Sequence, residues 1–161
     1  MEAMEASNRL ETSPAFICKG FLLSVSIFVG FFGVFFSLWK DIDYAVPSFL
    51  FLECTSAILL NMYVQHKKGT LFTKYNRQRL MCVLVFACII WVSTFGYSAF
   101  LIFWGIKNKE DFSVEKDGSF IALIPCFVAC LWSGLLIYET RRFIGMFDEQ
   151  YGGSSLPYRL N

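Results

Sequence analysis

The sequence predicts an all-α, polytopic membrane protein with four transmembrane helices and with its N and C termini in the cytosol. Three observations predict it. Of the 161 residues, 56% are hydrophobic and only 17% are charged, a balance foreign to soluble domains. The charges gather at the two ends and in three short stretches between apolar runs. Four of those runs are long enough to cross a bilayer, which takes about 20 mostly apolar residues at about 1.5 Å rise each.

Residues 1–15 read as a cytosolic N-terminal tail, and 16–39 as the first span. That apolar run is too long for the core of a signal peptide, and no A-x-A-like site follows it. Spans two to four are expected at about 46–65, 80–106 and 119–138, which makes 16–138 the transmembrane domain. Residues 139–161 are expected as a cytosolic tail, and from Asp148 onward, with Gly152, Gly153, Ser154, Ser155 and Pro157, it lacks apolar periodicity. Helices and links use nearly the whole chain. Function is therefore expected between helices or on short loops, and not in a soluble catalytic domain.

Orientation follows from the loops. The middle loop carries Lys67, Lys68, Lys74, Arg77 and Arg79 with no acid among them. The first loop balances Lys40 with Asp41 and Asp43; the last balances Lys107, Lys109 and Lys116 with Glu110, Asp111, Glu115 and Asp117. Lysine and arginine excess marks the cytosolic side of short loops, so the middle loop is expected inside and the other two outside. Arg141 and Arg142, just after the fourth span, agree. The formal charge of +1 gives no reason to expect nucleic acid as a partner.

Six cysteines in a small secreted domain would suggest a disulfide framework. Here Cys54, Cys82, Cys88, Cys126 and Cys130 fall within spans and Cys18 at the edge of one, where cysteine packs as a small hydrophobe. No C-x-x-C and no Cys/His cluster suggests a zinc site or a dithiol enzyme. No Walker motif and no nucleophile with an attendant base is visible, so no enzymatic activity and no prosthetic group are expected.

Some side chains do not belong in lipid. Glu53 is the one carboxylate or amine well inside an expected span, and a charge at the bilayer centre costs roughly 2.5–3.5 kcal/mol even on lenient scales. Glu53, Ser56, Leu60 and Tyr63 share one helical face, with Asn61 beside it. The third span presents Ser93 and Tyr97, with Thr94 and Ser98 one position on. The fourth presents Cys126, Cys130 and Ser133 just after Pro125, where a kink toward the bundle is expected. These faces either enclose a path or serve as small-residue packing between helices. Trp39, Trp104 and Trp132, like Tyr44 and Tyr138, suit interfacial anchors, and His66 suits a solvated loop.

Four tyrosines nevertheless fall at successive depths, Tyr44 outside, then Tyr97, Tyr63 and, at the cytosolic edge, Tyr138. A tyrosine phenolate can ligate ferric heme and its ring can stack on a porphyrin.

Two segments carry a resemblance. Residues 61–80, NMYVQHKKGTLFTKYNRQRL, and 132–143, WSGLLIYETRRF, resemble the second span with its basic loop and the fourth span with its C-terminal motif in the heme-responsive gene family of four-span heme transporters. The family motif Phe-Ala-Arg-Lys-Tyr is matched by Glu139, Thr140, Arg141, Arg142 and Phe143. The two basic residues and the final aromatic are kept; the leading aromatic is missing unless Tyr138 stands in. The resemblance implies that Arg141, Arg142 and Phe143 engage heme on the cytosolic side, where arginine can pair with propionates. It also makes Tyr63 the counterpart of a heme ligand in the second span. The family's outer-loop histidine has no counterpart in residues 107–118, so Tyr97 or Tyr44 would replace it.

The expected function is thus a heme permease acting from the extracellular or endolysosomal side toward the cytosol. It would sit in the plasma membrane or an endosomal or lysosomal membrane, with heme as cargo and a second protomer to widen the pathway. The ligand set expected is Tyr63, Glu53, Tyr97, Tyr44, Tyr138, Arg141, Arg142 and Phe143, with iron ligation by Tyr63. The rival is a non-transporting tetraspan accessory protein that binds a membrane partner.

Overall fold

A computed structural model describes residues 14–108 and 119–152. Five helices account for nearly all of them: α1 (Pro14–Trp39), α2 (Ala45–Lys67), the short α3 (Leu71–Lys74), α4 (Arg77–Asn108) and α5 (Ser119–Gly152). The expected N-terminal tail up to residue 13, most of the outer loop with its mixed charges, and the chain after Gly152 lie outside the described residues. Four helices, all but α3, are long and apolar enough to cross a membrane, so the chain is an integral membrane protein of all-α class.

The helix ends are set by local chemistry. At the end of α1, Asp41 takes a left-handed conformation (φ 54°), and the amides of Asp41 and Ile42 return to the carbonyls of Leu38 and Ser37. Gly69 (φ 66°) ends α2 the same way, its amide on His66 and that of Thr70 on Gln65. Both are Schellman closures, which satisfy carbonyls that a helix end leaves open. Ile42, just past the first closure, is buried and starts the packing at that end.

The helices pack as a chain of neighbours: α1 against α2, α2 against α5, and α5 against α4. Small side chains line these seams. Ser48, Thr55, Ser56, Thr94, Ala122, Ala129 and Ser133 are fully buried, which lets backbones approach closely, as packing in lipid requires. At Gly30 a Cβ would lie 2.9 Å from Cβ of Glu53 and 3.1 Å from its backbone, so α1 and α2 touch backbone to backbone beside the acid.

The fourth membrane helix does not stop at residue 138. α5 has 34 residues, about 51 Å at 1.5 Å each, against a hydrocarbon core of about 30 Å. Its far end projects beside the start of α4, tied by Arg77 to Asp148 at 2.9 Å and by the rings of Phe72 and Phe147 at 5.7 Å. The buried stripe Ser133, Leu136, Thr140, Phe143 runs straight through the expected boundary and sustains the helix.

Candidate functional site

The basic end of the bundle gathers the polar groups. Tyr63, near the end of α2, is buried, and its hydroxyl donates to Oε1 of Glu139 on α5 at 2.8 Å. Glu139 is 3% exposed. Two cations stand around its carboxylate: Arg142, one turn on, with Nη1 3.6 Å from Oε2, and Lys19 of α1, with Nζ 3.9 Å from Oε1. Both cations are about half exposed, at 54% and 46%, so water screens much of their attraction. Oε2 accepts no hydrogen bond among the described residues. A single buried carboxylate thus joins α1, α2 and α5, with its second oxygen held by the ion pair to Arg142 and by no hydrogen bond among the described residues.

A groove of about 510 Å³ opens beside it, between α1 and α2. Gly20 and Ser24 form one wall, Leu60 and Val64 the other, with Tyr63 in the lining and Lys67 and Lys68 at the rim. Glycine and serine on α1 leave the space that larger residues would fill. The groove offers an apolar slot with cations at its mouth, complementary to a ligand with a greasy body and anionic ends.

The other expected site residues are distributed differently. Arg142 joins the Tyr63 cluster, whereas Arg141 is exposed and takes part in no ion pair among the described residues. Phe143 is 1% exposed, packed in a core with Leu59, Met62, Tyr63 and Leu136, its ring 5.0 Å from that of His66. It is a core residue and not a surface a cargo could touch. His66 is exposed as expected, but it leans on that ring. Tyr138 is 64% exposed on the outer face of α5.

Tyr97 and Tyr44 meet at the opposite end, where the Tyr97 hydroxyl donates to the Tyr44 carbonyl at 2.7 Å. Their rings pack on Phe100 and Trp104. Glu53 shares a helical face with Tyr63, yet ten residues separate them by about 15 Å of helix rise. Glu53 is partly buried against α1 at Gly30 and has neither a hydrogen bond nor an ion pair with other described residues. The four tyrosines therefore do not line one continuous path.

The hydroxyl-bearing faces of the spans act as packing. Thr94 bonds back to the Ile90 carbonyl, Ser98 to that of Thr94, and Ser133 to that of Cys130. Cys126 reaches the Thr94 carbonyl at 3.3 Å, and all six cysteines are free thiols. Trp132 is no interfacial anchor, because its indole N–H donates to Ser26 of α1 at 3.0 Å between the helices. Pro125 sits within an unbroken α5 and lines an apolar cavity of about 360 Å³ shared with Val25, Val29, Phe49 and Leu52.

Glu139 is the residue that sequence reasoning missed. The sequence assigns it to the tail because the apolar run ends at Tyr138. The signal lay in the small and apolar spacing of Ser133, Leu136, Thr140 and Phe143, which carries the inward face past that point and turns Glu139 inward with it. Comparison of this chain with family models, with curated proteins and with solved structures gives no match.

Proposed function

We propose that this protein is a heme permease, which takes heme from the extracellular or endolysosomal side to the cytosol without altering it covalently. One observation carries the reading: the groove at the basic end, with apolar walls, the Tyr63 phenol in its lining and lysines at its mouth. Heme is a flat apolar body with two carboxylates on one edge and a ferric iron that accepts a phenolate. The groove matches each part, with Leu60 and Val64 for the ring, Lys67 and Lys68 for the propionates and Tyr63 for the iron.

The basic end is the cytosolic end in this reading. Lys67, Lys68, Lys74, Arg77 and Arg79 gather there with Arg142, in keeping with positive-inside bias. Both termini are then cytosolic, and the site described is the one from which heme leaves. The groove is open on one side, so in this reading a second copy of the chain closes it.

Hemin titrated into purified protein tests the proposal. Binding should produce a protein-type Soret band, and Tyr63→Phe, which removes one oxygen, should weaken binding roughly tenfold or more. A spectrum that is the same with and without protein would overturn the proposal. A second reading, an accessory protein for a membrane partner, is favoured by α1, whose Phe28, Phe31, Phe32 and Phe35 are largely exposed and contact one another. A null titration would leave that reading standing.

A further inference from the structure

The groove between α1 and α2 has a depth in the membrane as well as a shape. Its α2 wall runs from Leu60 to Lys67 and Lys68, about 12 Å at about 1.5 Å per residue, and α2 ends as a span at Lys67. One leaflet of the hydrocarbon core is about 15 Å deep, half of a core of about 30 Å. The slot therefore starts at the membrane boundary on the basic side and reaches through most of that leaflet. An open slot at that depth is bathed by acyl chains and not by water.

The lining suits a hydrocarbon chain with one charged end. Gly20, Ser24, Leu60 and Val64 supply the walls, and no acid is among the described residues that line the groove. Ser24 donates its hydroxyl to the Gly20 carbonyl at 2.9 Å, and Tyr63 donates its own to Glu139 at 2.8 Å, so both hydroxyl hydrogens are used inside the protein. A Cβ on Gly20 would meet nothing outside its own helix within 4 Å, so the space beside it is open. At the mouth Lys67 and Lys68 are exposed, and Lys74, Arg77 and Arg79 follow within the next loop and turn.

We propose that this groove is a binding site for an anionic phospholipid of the leaflet at the basic end. One acyl chain lies between Gly20 and Ser24 on one side and Leu60 and Val64 on the other, and the phosphate and headgroup anion sit at Lys67 and Lys68. A zwitterionic lipid offers the same chain, but its headgroup carries a cation that the lysines repel. Each lysine beside an anionic surface favours it about fivefold. Inorganic phosphate has no chain and gains nothing from the slot. Heme and the lipid share an apolar body and an anionic end, so they exclude one another, and lipid returning to the slot helps heme off. That competition rests on the heme reading above; the lipid site does not.

The full chain in detergent is equilibrated with equal amounts of phosphatidylserine and phosphatidylcholine of identical acyl chains, and the lipid it retains is counted by native mass spectrometry. The expected result is about one phosphatidylserine per chain, favoured over phosphatidylcholine about fivefold or more. Lys67→Gln with Lys68→Gln should bring the two lipids level. Gly20→Leu fills the slot without touching a charge and should remove retention of both, whereas Tyr63→Phe should change neither. Equal retention by wild type would overturn the site, and that count suffices where a variant fails to fold. A preference that survives the double glutamine or Gly20→Leu, or lipid displaced by inorganic phosphate, would overturn it too. Hemin should release the retained lipid one for one. Hemin that binds while the lipid stays would remove the competition and leave the heme reading intact; selective lipid retention with no hemin binding would remove the heme reading and leave the lipid site.

Discussion

The two ends of the bundle handle polar groups in opposite ways. At the end holding Tyr44 and Tyr97, neutral polar side chains reach backbone, Tyr97 the Tyr44 carbonyl and Ser98 and Cys126 that of Thr94, with Ser98 also donating to the Cys126 sulfur at 3.2 Å. At the basic end polar and charged side chains meet one another, Tyr63 with Glu139 and Glu139 with Lys19 and Arg142. A hydroxyl held by a helix carbonyl has no cheaper partner to move to. A carboxylate whose cations are half exposed shares them with anything else that reaches the rim. The first arrangement ties helices together; the second leaves half-exposed cations beside a groove. That difference, and not the depth order of the tyrosines, places the binding reading at the basic end.

The largest expected effect is structural. Phe143 is buried among Leu59, Met62 and Leu136, so Phe143→Ala should destabilise the basic end by about 3–5 kcal/mol, read as a lower unfolding midpoint in detergent. A stable variant that had lost only heme affinity would mean that the ring faces the ligand after all. Next, Glu139→Ala leaves the Tyr63 hydroxyl without its acceptor and should cost about 1–3 kcal/mol. No shift in midpoint would show that the carboxylate does not hold the three helices together.

At the opposite end, Tyr97→Phe removes one bond to a carbonyl and should cost about 0.5–1.5 kcal/mol, with hemin affinity unaltered. Weakened hemin binding there would erase the contrast between the ends. The smallest effect belongs to Arg77→Gln, which breaks an exposed pair with Asp148 and should leave the unfolding midpoint unmoved. A measurable drop would mean that the projecting part of α5 is held far more firmly than an exposed ion pair allows.

The fold was legible because apolar length is a coarse signal that side-chain detail does not disturb. The runs 16–39, 46–65, 80–106 and 119–138 each fall within or nearly within one helix. The site was legible only in part. Tyr63 is marked by the polar face of the second span, and Arg142 by its place after the fourth span and by the family resemblance, but the partner of both is Glu139, which hydropathy assigns to a tail because charge ends an apolar window. Burial there is decided by which way the helix faces, and α5 continues past the apolar run. Glu53 drew attention for the same reason in reverse: a charge inside a window is conspicuous, whereas its packing against Gly30 depends on how closely α1 and α2 approach. The type of Trp132 suits an anchor, and its bond to Ser26 depends on how α2 brings α1 and α5 near each other.

The central claim is transport, and flux tests it more directly than binding does. The purified chain is reconstituted into liposomes that enclose a heme-free heme-binding protein, and hemin is added outside. The account predicts that the enclosed reporter fills faster than in protein-free vesicles, and that Tyr63→Phe brings the rate down toward theirs at equal protein content. Filling at the protein-free rate, by a chain shown to be folded in the bilayer, would contradict it.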